Sequence, residues 1–114
     1  MAGDPRRFDD LFQSFGPIAV KRMFGGEGIF AGPVMIGLVM DEQIYLRTDE
    51  ASRSGYLKEK SRPFTFKKGG KVIATAYYSL PDRLLDDPDE LAEWARSAHG
   101  IAMAKSVGKR AKRR

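Results

Sequence analysis

Apolar residues recur along this chain in two rhythms, and each switch of rhythm marks an element. Phe8, Leu11, Phe12 and Phe15 fall at i, i+3, i+4 and i+7, which places them on one stripe of a helix. Asp4 is positioned to cap that helix and Pro5 to take its first turn; Gly16-Pro17 stops it. The period then shortens. Ile18 to Phe24, Glu27 to Ala31 and Val34 to Met40 read as strands, the last apolar enough to be central, with Gly32-Pro33 as a turn. Asp41-Glu42 leads into Gln43 to Arg47, where Ile44 and Leu46 alternate with Tyr45 and Arg47; so short a connection predicts an antiparallel hairpin.

The second half repeats the theme. Thr48 or Asp49 can cap a helix running through Ala51 and Leu57 to Lys60, although Ser54-Gly55 weakens it. Pro63 to Lys67 and Lys71 to Tyr78 form a second hairpin around Lys68-Gly69-Gly70. Val72, Ala74, Ala76 and Tyr78 line one face of its second strand, and Ile73, Thr75 and Tyr77 the other. A short helical turn is expected at Asp82 to Leu85. Asp87-Pro88-Asp89-Glu90 then supplies a capping acid, a first-position proline and a capping-box glutamate. The helix it opens buries Leu91, Trp94, Ala95, Ala98, Ile101 and Ala102. These elements predict an α+β two-layer sandwich: an antiparallel sheet of about five strands with flanking N- and C-terminal helices.

Length and composition fit that picture. A chain of 114 residues, 42% hydrophobic and 11% aromatic, makes one globular domain with one core. It has no cysteine, which excludes disulfides and thiolate chemistry. The first residues lack the apolar stretch of a signal peptide. The run from Pro33 to Met40 is too short to span a bilayer, so a cytoplasmic protein without a membrane segment is expected. The net charge of +5 is unevenly spread. Six of the 20 Lys and Arg residues, Lys105, Lys109, Arg110, Lys112, Arg113 and Arg114, lie in 105–114 without an acid among them, leaving 14 cations against 15 acids elsewhere. The expected organisation is a domain over 1–104 and a basic, disordered tail over 105–114. Such a tail can attract nucleic acid or an acidic partner.

Candidate chemistry centres on Lys21-Arg22-Met23-Phe24-Gly25-Gly26-Glu27-Gly28-Ile29-Phe30. No Lys-Ser/Thr follows the glycines, so a phosphate loop is excluded, and strand-like residues follow where a dinucleotide fingerprint needs a helix. A tight strand connection or bulge is the main reading; an anion nest beside Lys21 and Arg22 is the lesser one. In the first reading Met23, Phe24, Ile29 and Phe30 are available to the core. His99 stands alone and reads as structural. Asp86, Asp87, Asp89 and Glu90 suit helix capping as well as cation binding, without the pattern of a calcium loop. No serine sits in a nucleophile elbow. Tyr45 with Arg47, Phe66 with Lys67 and Lys68, and Tyr77 could stack on bases and meet phosphates, but alternation sends half of such aromatics inward. No catalytic residue, cofactor or metal ligand is assigned.

In order along the chain, Arg22-Met23-Phe24-Gly25-Gly26 with Gly28-Ile29-Phe30, Ile44-Tyr45-Leu46-Arg47, Arg62-Pro63-Phe64, Ala76 to Pro81 and Leu91 to Trp94 resemble the TfoX N-terminal domain family, which includes Sxy/TfoX regulators of bacterial competence. The resemblance covers about residues 5–104 and is most specific at Arg22, Met23, Phe24, Gly25, Gly26 and Gly28. It implies a two-layer fold similar to secretion chaperones and a regulatory role without catalysis. Longer members continue into a helical C-terminal domain, whereas here a basic tail follows, so a stand-alone domain is expected.

Three functions are therefore carried forward. The first is a non-enzymatic regulatory domain that binds a protein partner near the transcription machinery, with homodimerisation through sheet edges. The second is nucleic-acid binding by the tail, aided by Lys21, Arg22, Lys67 and Lys68. The third is a small-molecule binder or enzyme with a pocket near the Gly-rich segment.

Overall fold

A computed structural model of the chain describes residues 8–23 and 25–112, with the side chains of 106–112 excepted. Six strands form one antiparallel sheet: β1 (Ala19–Met23), β2 (Gly26–Ala31), β3 (Val34–Met40), β4 (Gln43–Arg47), β5 (Pro63–Lys68) and β6 (Lys71–Ser79). Their spatial order is β1-β2-β3-β4-β6-β5. The first four make a meander. Helix α1 (Glu50–Lys58) then carries the chain past β4 to the far edge, and β6 returns between β5 and β4. A 3-10 turn over Asp82–Asp86 precedes helix α2 (Pro88–Lys112). The α+β sandwich is thus as expected, with six strands rather than about five. Met23 pairs with Gly26, and Gly25 sits at φ 78°, so the strand expected from Ile18 to Phe24 forms over Ala19–Met23 and folds back onto β2.

The helices cover one face of the sheet. Ile29, Ile36, Ile44 and Leu46 point to that side and are buried with Leu84, Leu91, Ala95 and Ala98. The alanines bring the α2 backbone close to the sheet, where a larger side chain would hold it off. Asp87 caps α2 by accepting from the Glu90 N–H at 3.1 Å. The capping box expected there is only half made, because the Glu90 carboxylate is bound by Arg83 and accepts from the Trp94 indole N–H. The reciprocal box forms at α1 instead: the Ser52 N–H donates to Asp49 at 2.8 Å and the Asp49 N–H to Ser52 Oγ at 3.0 Å.

The N-terminal helix is replaced over Phe8–Phe15 by consecutive turns. Phe12 N–H reaches Phe8 O and Gly16 N–H reaches Phe12 O, but Gln13 bonds back three residues to Asp10 and Phe15 three to Phe12. Mixed spacing breaks the helical ladder, and so short a segment gains little from helix formation alone. Burial sets its path: Phe12 is fully buried, with Phe8, Leu11, Phe15 and Ile18 packed against the same core. The cap expected at Asp4 and Pro5 lies outside the described residues.

Candidate functional site

Among the described residues, the opposite face of the sheet carries no helix. It forms an apolar groove of about 370 Å³ whose walls come from both edges of the sheet. Edge strand β1 gives Met23, and central strand β3 gives Met35, Leu38 and Met40. Edge strand β5 gives Phe64 and Phe66, beside Thr75 and Tyr77 of β6, while Glu27 lines the groove from β2. Strands at opposite ends of the order can share one hollow only if the sheet curls around it.

The Gly-rich segment builds the floor. A Cβ on Gly28 would stand 2.9 Å from the sulfurs of both Met23 and Met35, so the missing side chain lets two thioethers converge there. A Cβ on Gly26 would run into the Met40 sulfur and the Val39 carbonyl oxygen. The segment is therefore a strand connection, as its composition suggested, and also a site of close approach between strands. Ile29 enters the core. Met23 instead lines the groove, and Phe30 lies under the Lys21 ammonium, 5.0 Å from the ring centre. Phe24 lies outside the described residues. Arg22 is exposed, opposite Glu27 in the ladder.

Of the aromatic and cationic candidates, Phe66 and Tyr77 line this groove, Tyr45 and Arg47 contact its lining residues, and Lys67 and Lys68 fall on opposite faces of the β5–β6 hairpin. Tyr45 meets Phe64 edge-on with ring centres 5.5 Å apart. Arg47 donates to the Tyr77 hydroxyl at 3.1 Å, with its guanidinium 5.4 Å from the Tyr77 ring centre. Its Nε is buried without a hydrogen-bond partner among the described residues, a desolvation cost at the margin of the groove. The tail candidates lie far along α2. Lys105 is exposed; Lys109, Arg110 and Lys112 belong to the helix, their side chains outside the described set; Arg113 and Arg114 are not among the described residues.

His99, Asp87, Asp89 and Glu90 have structural partners. His99 stacks edge-on against Phe15 at 6.1 Å. In the acidic cluster Asp87 caps α2 and Asp89 accepts from Ser14 Oγ at 2.7 Å. Arg83 grips Glu90 and Glu59 together, each at 2.8 Å, and those bonds hold both carboxyls below their ordinary range. Among the described residues no three His, Cys, Asp or Glu side chains are grouped to hold a metal ion, and no helix is long and apolar enough to cross a membrane.

One signal for the groove was legible. Met35 and Met40 sit in an apolar strand, and a strand apolar on both faces has something to cover on each. The convergence of Met23 on Met35 depends on cross-strand register, which a linear pattern does not carry.

A six-stranded antiparallel sheet with helices on one face and an apolar groove on the other defines an α+β domain with an open sheet face. The chain belongs to the TfoX N-terminal domain family, whose model matches residues 10–102. No curated protein matches the chain.

Proposed function

We propose that this protein is a non-enzymatic regulatory domain that works by seating an apolar segment of a protein partner in the groove of the helix-free sheet face. Family membership supports the regulatory part of the reading. The observation that carries the binding part is the make-up of the groove. Among the described residues that line a space of about 370 Å³ are three methionines, a leucine and two phenylalanines, against three residues with polar side-chain groups, Glu27, Thr75 and Tyr77. Methionine is unbranched and polarisable, so such a wall adapts to an apolar side chain without demanding one shape. Small-molecule sites usually add several convergent polar groups that fix orientation; this wall is better suited to a segment anchored by side-chain burial. In the cell the reading places the domain in contact with a component of transcription, as for the competence regulators it resembles.

Photo-crosslinking tests the assignment. A benzophenone amino acid replacing Met35 should yield a discrete adduct in the native host. The same group replacing Met103, which is exposed on α2, should not. Adducts from position 103 alone would place the partner on the helical layer and end this reading.

A further inference from the structure

The β5–β6 hairpin lines the groove through Phe64, Phe66 and Thr75 and continues past β4 as an arm. Strand β6 pairs with β4 only through Tyr77, Tyr78 and Ser79. From Lys71 to Thr75 its ladder partners among the described residues are on β5 alone, through Thr65↔Ala74, Phe66↔Ile73, Lys67↔Val72 and Lys68↔Lys71. Gly69 and Gly70, at φ 58° and 80°, close the tip in two residues. At about 3.3 Å per residue, the ribbon from Tyr77 to Lys71 runs roughly 20 Å past the last β4 pairing.

Its chemistry is one-sided in charge. From Lys60 to Pro81 the sequence holds Lys60, Arg62, Lys67, Lys68 and Lys71 and no acid. Lys68 and Lys71 stand directly opposite each other in the ladder, an arrangement that repels. No ion pair relieves it among the described residues. Apolar groups beside the tip are exposed as well: Val72 by 65%, Phe66 by 42% and Ile73 by 37%. A two-stranded ribbon is marginal in water even without such burdens. Local rules broken together at one exposed place mark a surface shaped for something other than stability.

We infer that this arm docks in the major groove of B-form duplex DNA. The cations select a polyanion. Their placement selects a duplex: strand alternation sends Lys67 to one face of the ribbon and Lys68 and Lys71 to the other, so an inserted ribbon meets phosphates on both walls of a groove. A track for a single strand needs its cations on one face. The B-DNA major groove, about 12 Å wide and 8.5 Å deep, admits a two-stranded ribbon, whereas the A-form RNA major groove is too narrow.

The test is fluorescence anisotropy of a labelled DNA duplex with the full chain, from 50 to 200 mM salt (on the order of the range over which phosphate contacts are lost). Lys67→Gln, Lys68→Gln and Lys71→Gln combined should weaken binding about tenfold or more and reduce the log–log salt slope by about 3. The same three positions as Arg should retain it. The Gln variant should melt no lower than the parent, since it removes repulsion at exposed sites. Unchanged affinity and slope in the Gln variant overturn the inference. So does equal or tighter binding to an unpaired strand or an RNA duplex. A loss confined to vesicles of phosphatidylserine, with DNA binding intact, would assign the arm to a membrane surface instead and equally overturn it.

Discussion

At the scale of single residues, the glycines divide into two kinds. Gly25 is needed for its backbone angle, and Gly26 and Gly28 for the space they leave. The obstacle at Gly26 includes a backbone carbonyl that cannot move aside, so Gly26→Ala should cost about 1–3 kcal/mol in urea unfolding. At Gly28 the neighbours are chiefly the flexible ends of two methionines; Gly28→Ala should cost less and mainly fill the groove floor. The reverse situation occurs at Lys60, an exposed residue at φ 63° that ends α1. Ser61 N–H reaches Tyr56 O and Lys60 N–H reaches Leu57 O, a closure that glycine usually makes. Lys60→Gly should therefore raise stability by about 1 kcal/mol, part of the left-handed cost being offset by glycine's freedom when unfolded. The sequence revealed that Gly25-Gly26 joins strands. It did not reveal which glycine serves space and which serves angle, because the atoms that decide this arrive from β3.

At the scale of elements, α1 and α2 were readable from their caps and stripes, while the first segment was not. Phe8, Leu11, Phe12 and Phe15 have helical spacing, yet the same residues can be buried from a chain of turns, and periodicity reports burial rather than hydrogen bonding. The weakest sequence assignment, α1, is fastened by contacts remote in sequence. Tyr56 packs edge-on against Trp94 with ring centres 4.6 Å apart, and its burial pushes the Tyr56 hydroxyl pKa up. Arg83 of the 3-10 turn links the end of α1 to the start of α2 through Glu59 and Glu90. Both carboxyls titrate below their ordinary 4.5, chiefly through their hydrogen bonds to Arg83. A depressed carboxyl stabilises the fold above its unfolded pKa, and that contribution fades as pH falls through the folded one. Arg83→Met should accordingly lower the melting temperature at pH 7. The gap to the parent should close as pH drops below about 4.5. A gap that persists unchanged in strong acid would mean that Arg83 acts by packing alone.

At the scale of the whole molecule, the two sheet faces have different tasks. One is sealed by α2 and the N-terminal turns; the other keeps its methionines and aromatics around an open groove. The architecture was legible because each strand carried its own turn signals. The groove was not, because a strand apolar on both sides looks the same whether its second face meets a helix or nothing. The methionines themselves provide the most direct test of the binding face. With methyl-labelled methionine in the full chain, the resonances of Met23, Met35 and Met40 should shift when the partner captured from position 35 is added, and that of Met103 should stay in place. A shift at Met103 with the three groove methyls unmoved would contradict the account.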